Sequence, residues 1–156
     1  MMAPRSPDIP TPPAEPWIEF AESELHRAGH RSSLPRSAVL ELIGRQECVL
    51  SAHEIGDELR HSGRQVGIAT VYRTLELLEQ LKLVQRLDVG GGSARYEPAL
   101  PGGEHHHHHF VCERCGKVTP FEDEGLEQAI EALGERLEYS VGEHDVILKG
   151  NCPGCD

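Results

Sequence analysis

Two C-x-x-C pairs, Cys112–Cys115 and Cys152–Cys155, constrain this 156-residue chain more than any other feature. The first pair brackets a turn ending in Gly116, and the second encloses Pro153 and Gly154. Cysteines spaced this way can offer two thiolates to one tetrahedral ion. Two such pairs close a four-coordinate shell, which suits structural zinc rather than catalysis. Thirty-six residues separate the pairs, enough for a helix and a strand. In so small a domain the ion would supply much of the folding energy. A fifth cysteine, Cys48, stands apart. In a reducing compartment such pairs read as ligands rather than disulfides. No apolar run reaches the roughly 20 residues of a membrane span, and the N-terminus lacks a secretory pattern. A cytoplasmic location with no membrane partner is expected.

The net charge of −11 argues at first against nucleic acid, but its distribution is uneven. From Leu25 to Arg73 there are seven arginines against five acids, whereas from Pro101 onward there are four basic and twelve acidic residues. Such asymmetry suits a DNA-facing half joined to a cation-binding half. Residues 1–16 hold six prolines and predict a disordered arm. Helical periodicity follows from Trp17 to Gly29, from Leu34 with Pro35 in the first turn, from a Ser51 cap to Gly63, and from Gly67 to Leu83. The last of these carries the stripe Val71, Leu75, Leu78 and Leu81. VQRLDV, GGGS and ARYEP then predict a β-hairpin. Helices followed by a hairpin make a winged helix-turn-helix over residues 17–97, whose last helix enters the major groove. Residues 98–104 are expected as a hinge. Residues 105–156 are expected as a small α+β domain: strand, strand, helix (Glu124 to Leu137), strand and cysteine tail.

Residues 105–109 are all histidine and run straight into FVC. Strand side chains alternate, so His106 and His108 face one way while His105, His107 and His109 face the other. One strand can therefore serve two metal sites, with further ligands available from Glu127, His144 and Glu97. Imidazole with carboxylate suits zinc, iron, nickel or manganese.

The segments LPRSAVLELI, SAHEIGDELR, GIATVYRTLELL, ARYE, HHHHFVCERCGKVTPFED and HDVILKGNCPGC together resemble the ferric uptake regulator superfamily over roughly residues 25 to 155. The resemblance implies an N-terminal winged helix and a C-terminal dimerisation domain. It implies structural zinc on Cys112, Cys115, Cys152 and Cys155, and a second site on His106, His108, Glu127 and His144. A sensor site between the domains is implied on Glu97, His107 and His109. The family often supplies a histidine where this chain has Val49, and an acid where it has Pro120; Cys48 is a possible substitute that would tilt the site toward zinc. Gln85 replaces an aspartate of the family's zinc sensors, and their cysteine after the wing is missing. On the recognition helix, Tyr72 and Arg73 are implied at base edges. Thr70 is a candidate for a phosphate, and Arg31 for the minor groove or backbone.

The function expected is a metal-dependent, homodimeric repressor of metal homeostasis genes on a palindromic double-stranded operator. Its cofactors would be structural zinc and a regulatory divalent ion, zinc or iron. Peroxide or other metal sensing within the superfamily is the alternative, and a metal-storage or metallochaperone module is the rival from another class. A hydrolytic zinc enzyme is disfavoured, because no H-E-x-x-H pattern or paired general base occurs.

Overall fold

The computed structural model describes residues 14–46, 49–99 and 107–155, which fall into two compact units, the first holding the described residues up to 99 and the second those from 107. The first unit is built on four helices: α1 (Ala14–Arg27), α2 (Leu34–Arg45), α3 (Ala52–His61) and α4 (Ile68–Gln80). Each of the middle two starts on a serine. Ser33 Oγ accepts from the Arg36 amide at 3.3 Å, with Pro35 in the first turn of α2. Ser51 and Glu54 form a reciprocal capping box: Ser51 Oγ accepts from Glu54 N at 3.2 Å, and Glu54 Oε2 accepts from Ser51 N at 2.7 Å. These contacts satisfy amides that have no partner within the helix.

The wing comprises β1 (Leu50–Ser51), β2 (Val84–Asp88) and β3 (Ala94–Pro98), in the spatial order β1-β3-β2. Strands β2 and β3 are antiparallel with Arg86 opposite Tyr96. Their turn has three successive glycines, Gly90, Gly91 and Gly92, at φ of 83°, 73° and 80°. That backbone run is open to glycine and strained for side-chain-bearing residues. The two-residue β1, which pairs Leu50 with Tyr96, was not expected from the sequence.

Apolar residues at helical spacing converge on one core. Trp17, Ala21 and Leu25 of α1 meet Val39, Leu40 and Ile43 of α2, Ile55 and Leu59 of α3, and Val71, Leu75 and Leu78 of α4. Leu81, expected on the buried stripe, is half-buried at the C-terminal cap of α4. Trp17 ties the first helix to the end of the wing: its indole N–H lies 3.1 Å from both the Leu83 and the Ala99 carbonyl oxygens.

Two expected boundaries shift. The arm was expected through residue 16, but Ala14, Glu15 and Pro16 belong to the first turn of α1. Proline is tolerated there because that amide has no helical partner, and Glu15 favours the positive helix end. The hinge was expected from residue 98, but Pro98 pairs with Val84 and Ala99 N donates to Leu83 O at 2.9 Å. The rest of both expected segments, residues 1–13 and 100–104, lies outside the described residues.

Among the described residues the second unit has a three-stranded sheet and one helix: β4 (His108–Cys112), β5 (Val118–Phe121), α5 (Glu124–Arg136) and β6 (Ile147–Gly150). Strand β4 is central, antiparallel to β5 and parallel to β6. A parallel pair needs a crossover, and α5 lies within it. Asp123 caps that helix, accepting from Leu126 N at 2.8 Å. The chain is thus α+β, a winged helix-turn-helix followed by a small mixed unit, as the sequence predicts.

Truncating Trp17 to alanine removes the largest fully buried side chain of the first unit and two carbonyl contacts. The expected cost is about 3–5 kcal/mol, read as a fall in the urea-unfolding free energy of the purified protein followed by circular dichroism.

Candidate metal centres and nucleic-acid interface

The parallel pairing of β4 with β6 closes the gap between the cysteine pairs. His109 stands opposite Ile147 and Cys112 opposite Gly150. Beyond that last rung Glu113 N donates to Gly150 O at 2.8 Å, and Cys152 N donates to Cys112 Sγ at 3.3 Å. The Cys112–Gly116 turn closes through Gly116 N to Cys112 O at 2.9 Å, with Gly116 at φ 74°. The second turn closes through Cys155 N to Cys152 O at 2.8 Å, and Arg114 donates to the Cys155 carbonyl. All four sulfurs lie within 4.8 Å of one another, and Cys115 Sγ is 3.8 Å from Cys152 Sγ. A tetrahedron with Zn–S bonds of about 2.3 Å has edges of about 3.8 Å, so the donor set fits zinc in both chemistry and size.

The electrostatics point the same way. Amide N–H groups of Cys115 and Cys152 draw the Cys112 thiol from 9.0 down to about 6. Hydrogen bonding with the Cys152 and Cys115 sulfurs pushes the Cys155 thiol up to about 12. Without a cation, one thiolate raises the cost of making the next. A divalent ion reverses that balance, since it deprotonates the thiols that bind it.

At the other end of the same strand pair, His108 and His144 converge on Glu127 of α5. His108 Nε2 is 2.5 Å from Glu127 Oε1, and His144 Nε2 is 3.0 Å from Glu127 Oε2. The two rings are 5.5 Å apart. His144 is arranged as a ligand: its Nδ1–H donates to the Gly142 carbonyl at 3.2 Å, leaving Nε2 directed into the cluster. The Gly142 carbonyl, then the charges of Glu127 and Asp145, hold its pKa above the ordinary histidine value. His108 is arranged differently. Val146 N–H donates to His108 Nδ1 at 3.2 Å, so the neutral ring keeps its proton on Nε2 and donates to Glu127. Coordination through Nε2 requires that proton to leave and the Val146 contact to be given up. His106, expected with this group, lies outside the described residues.

The expected sensor ligands come from both units. Glu97 is a buried residue of β3, paired with Gln85. His107 and His109 belong to the second unit, with ring centroids 4.9 Å apart. Val49 is buried and its carbonyl accepts from Arg95 at 3.5 Å; its aliphatic side chain offers no ligand. Pro120 lies on β5 opposite His109. Cys48 lies outside the described residues.

Three of the four expected DNA residues, Thr70, Tyr72 and Arg73, lie on α4. Tyr72 and Arg73 are exposed and Thr70 is half-buried, with Arg73 donating to Thr70 Oγ1 at 3.3 Å. Arg31 is exposed before α2, its carbonyl fixed by Arg36 NH1 at 2.6 Å. Two contacts with these residues were not read from the sequence: Arg36 with the Arg31 carbonyl, and His53, whose Nδ1 is 3.3 Å from the Tyr72 hydroxyl. The Ser51 cap was the available signal for His53, because it fixes residue 53 in the first turn of α3, on the side of the helix-turn-helix.

Replacing Cys112 with serine is expected to lower bound zinc from about one ion per chain to near none and to unfold the second unit, since structural zinc carries folding energy. Metal analysis of the dialysed protein together with circular dichroism checks both.

The family model for the ferric uptake regulator family matches residues 27–149. The ferric uptake regulation protein of Legionella pneumophila is 40% identical over 133 residues, covering 85% of this chain and 96% of that protein. The crystal structure of the Vibrio cholerae ferric uptake regulator superposes with a TM-score of 0.76 at 33% identity, over 84% of this chain and 98% of that one. The Helicobacter pylori ferric uptake regulator, a protein with three functional metal binding sites, gives a TM-score of 0.81 at 26% identity over 95% of both chains. The matched span runs through the helix-turn-helix, the wing and the histidine strand, and the chain belongs to the ferric uptake regulator family.

Proposed function

We propose that this protein represses transcription by binding a palindromic operator as a homodimer when a divalent cation occupies its histidine and carboxylate ligands. As a family member the chain is a metal-sensing transcriptional regulator. The observation that carries the fuller reading is the pairing, in one chain, of an outward Tyr72–Arg73 face on α4 with a Glu127-centred imidazole cluster. The four cysteines would hold zinc for stability. His108, Glu127 and His144, with His106, would form the second site. Glu97, His107 and His109 would form the sensor site, with Cys48 available to complete it. An ion bridging Glu97 to the two histidines would fix one unit relative to the other, and so shift the population toward the DNA-competent arrangement.

On DNA, Arg73 would fork onto a guanine edge and Tyr72 would pack on a thymine methyl. Thr70 and Arg31 would meet the backbone or minor groove. Dimerisation through the second unit is supported by Phe110 and Leu148, paired in register and both exposed, together with exposed Leu133, Leu137 and Tyr139. Zinc and iron are the metals proposed, and control of metal homeostasis genes in the cytoplasm is the matching role. A storage module would use the histidines but would have no need of the α4 face.

The test is operator affinity at buffered free Zn(II), Fe(II), Mn(II) and Ni(II). The sensed ion is expected to tighten binding by about 5–150-fold, and equal affinity after all removable metal is stripped overturns the reading. Arg73→Ala is expected to weaken operator binding by about 10–100-fold while leaving the dimer folded, checked by gel shift and by sedimentation.

A further inference from the structure

Helices α3 and α4 pack side by side, with Gly56 of α3 facing Ile68 of α4. A Cβ on Gly56 would stand only 3.5 Å from Ile68 Cδ1, in ordinary contact. One turn earlier on α3 is His53, and one turn later on α4 is Tyr72. Residues three or four apart share a helix face, so the two side chains are neighbours along the same seam. They meet in two ways. The Tyr72 hydroxyl and His53 Nδ1 are 3.3 Å apart, and the rings pack edge to face with centroids 5.9 Å apart at 79°. Tyr72 remains 40% exposed, so the contact orients the ring without hiding it.

We propose that His53 is a positioning residue for DNA reading: by holding the Tyr72 phenol it sets the orientation in which that ring meets a base edge. The inference rests on the reading of α4 as the DNA-contacting helix. An exposed tyrosine on a helix has more than one staggered χ1 state available. Freezing it on the operator costs affinity, and a ring already held in the bound orientation avoids that cost. The gain goes to the matched sequence, because a misplaced ring still permits phosphate contacts. His53 thus acts on specificity more than on general DNA affinity.

The experiment uses the full-length zinc-loaded protein and a duplex selected on it from a random-sequence pool. Fluorescence anisotropy measures affinity for that duplex, for a scrambled duplex of equal length, and for versions with single thymines replaced by deoxyuridine. His53→Ala is expected to weaken binding to the selected duplex by about twofold to tenfold. It should leave the scrambled duplex unchanged and shrink the penalty for losing a thymine methyl. His53→Asn, whose amide reaches the place of Nδ1, should restore the wild-type pattern. In a Tyr72→Ala background His53→Ala should add nothing. If Tyr72→Ala is costly but His53→Ala is silent, the positioning role falls while the reading of α4 stands. An equal loss on the scrambled duplex, or a loss that persists without Tyr72, shows His53 contacting DNA itself and overturns the inference. No rescue by asparagine also overturns it. Undiminished affinity in Tyr72→Ala overturns both readings.

Discussion

The parallel pairing of β4 with β6 is the interaction on which the second unit depends. It sets Cys112 level with Gly150 and His109 level with Ile147. From those rungs the backbone delivers Cys152 to one end of the strand pair, and His144 and Val146 to the other. Side chains alternate with a period of two, so a slip of one residue would turn Cys112 and His108 to the wrong face. Such register is usually specified by a buried apolar face. Here little of one exists: among the described residues, Val111 and Cys112 are the buried hydrophobic residues of this unit. A domain of this size with so small a core needs a metal, a disulfide or a partner chain. The cysteine cluster and the exposed Phe110–Leu148 pair are where an ion and a partner chain would answer that need. A zinc ion on the four cysteines would couple metal binding to folding in this half of the chain.

The first unit is held by other means. Its core is continuous across four helices, and Trp17 connects the start of α1 to the carbonyls of Leu83 and Ala99 at either side of the wing. Arg95 reaches from β3 to Glu54 Oε2 at 2.8 Å, the carboxylate that also caps α3. The wing and the helix-turn-helix thus share one carboxylate. The charge distribution follows the same division: arginine exceeds acid in the helix-turn-helix, while acid dominates after residue 101. A chain of net charge −11 can approach DNA because binding depends on the field at the contacting face.

Much of this was legible in the sequence. The helices were readable because apolar residues recur at helical spacing and Ser51 and Pro35 mark starts. The cysteine cluster was readable because two close pairs leave few alternatives. The alternation of the histidines followed from strand geometry alone. What escaped reading depends on partners distant in sequence. Strand β1 has two residues and exists only because β3 lies beside it. Pro98 was read as the start of a hinge, yet it occupies the end of a strand, where the amide it lacks is dispensable. The contact between His53 and Tyr72 joins two helices across 19 residues, and no local pattern encodes it.

The histidine cluster shows why ligand type alone does not define a site. His144 and His108 have the same chemistry and converge on the same carboxylate, but the backbone treats them oppositely. A carbonyl at Gly142 fixes the proton of His144 on Nδ1, whereas an amide at Val146 takes the Nδ1 lone pair of His108. The first arrangement makes Nε2 the atom an ion would take in place of the proton shared with Glu127, and the second puts the neutral ring's one proton on Nε2 toward Glu127. The Val146 amide belongs to the residue just before β6, so the register that builds the cysteine site also decides the tautomer of His108. His108 would take an ion through Nε2 only by giving up the Val146 contact, whereas His144 would keep its Gly142 contact on doing so.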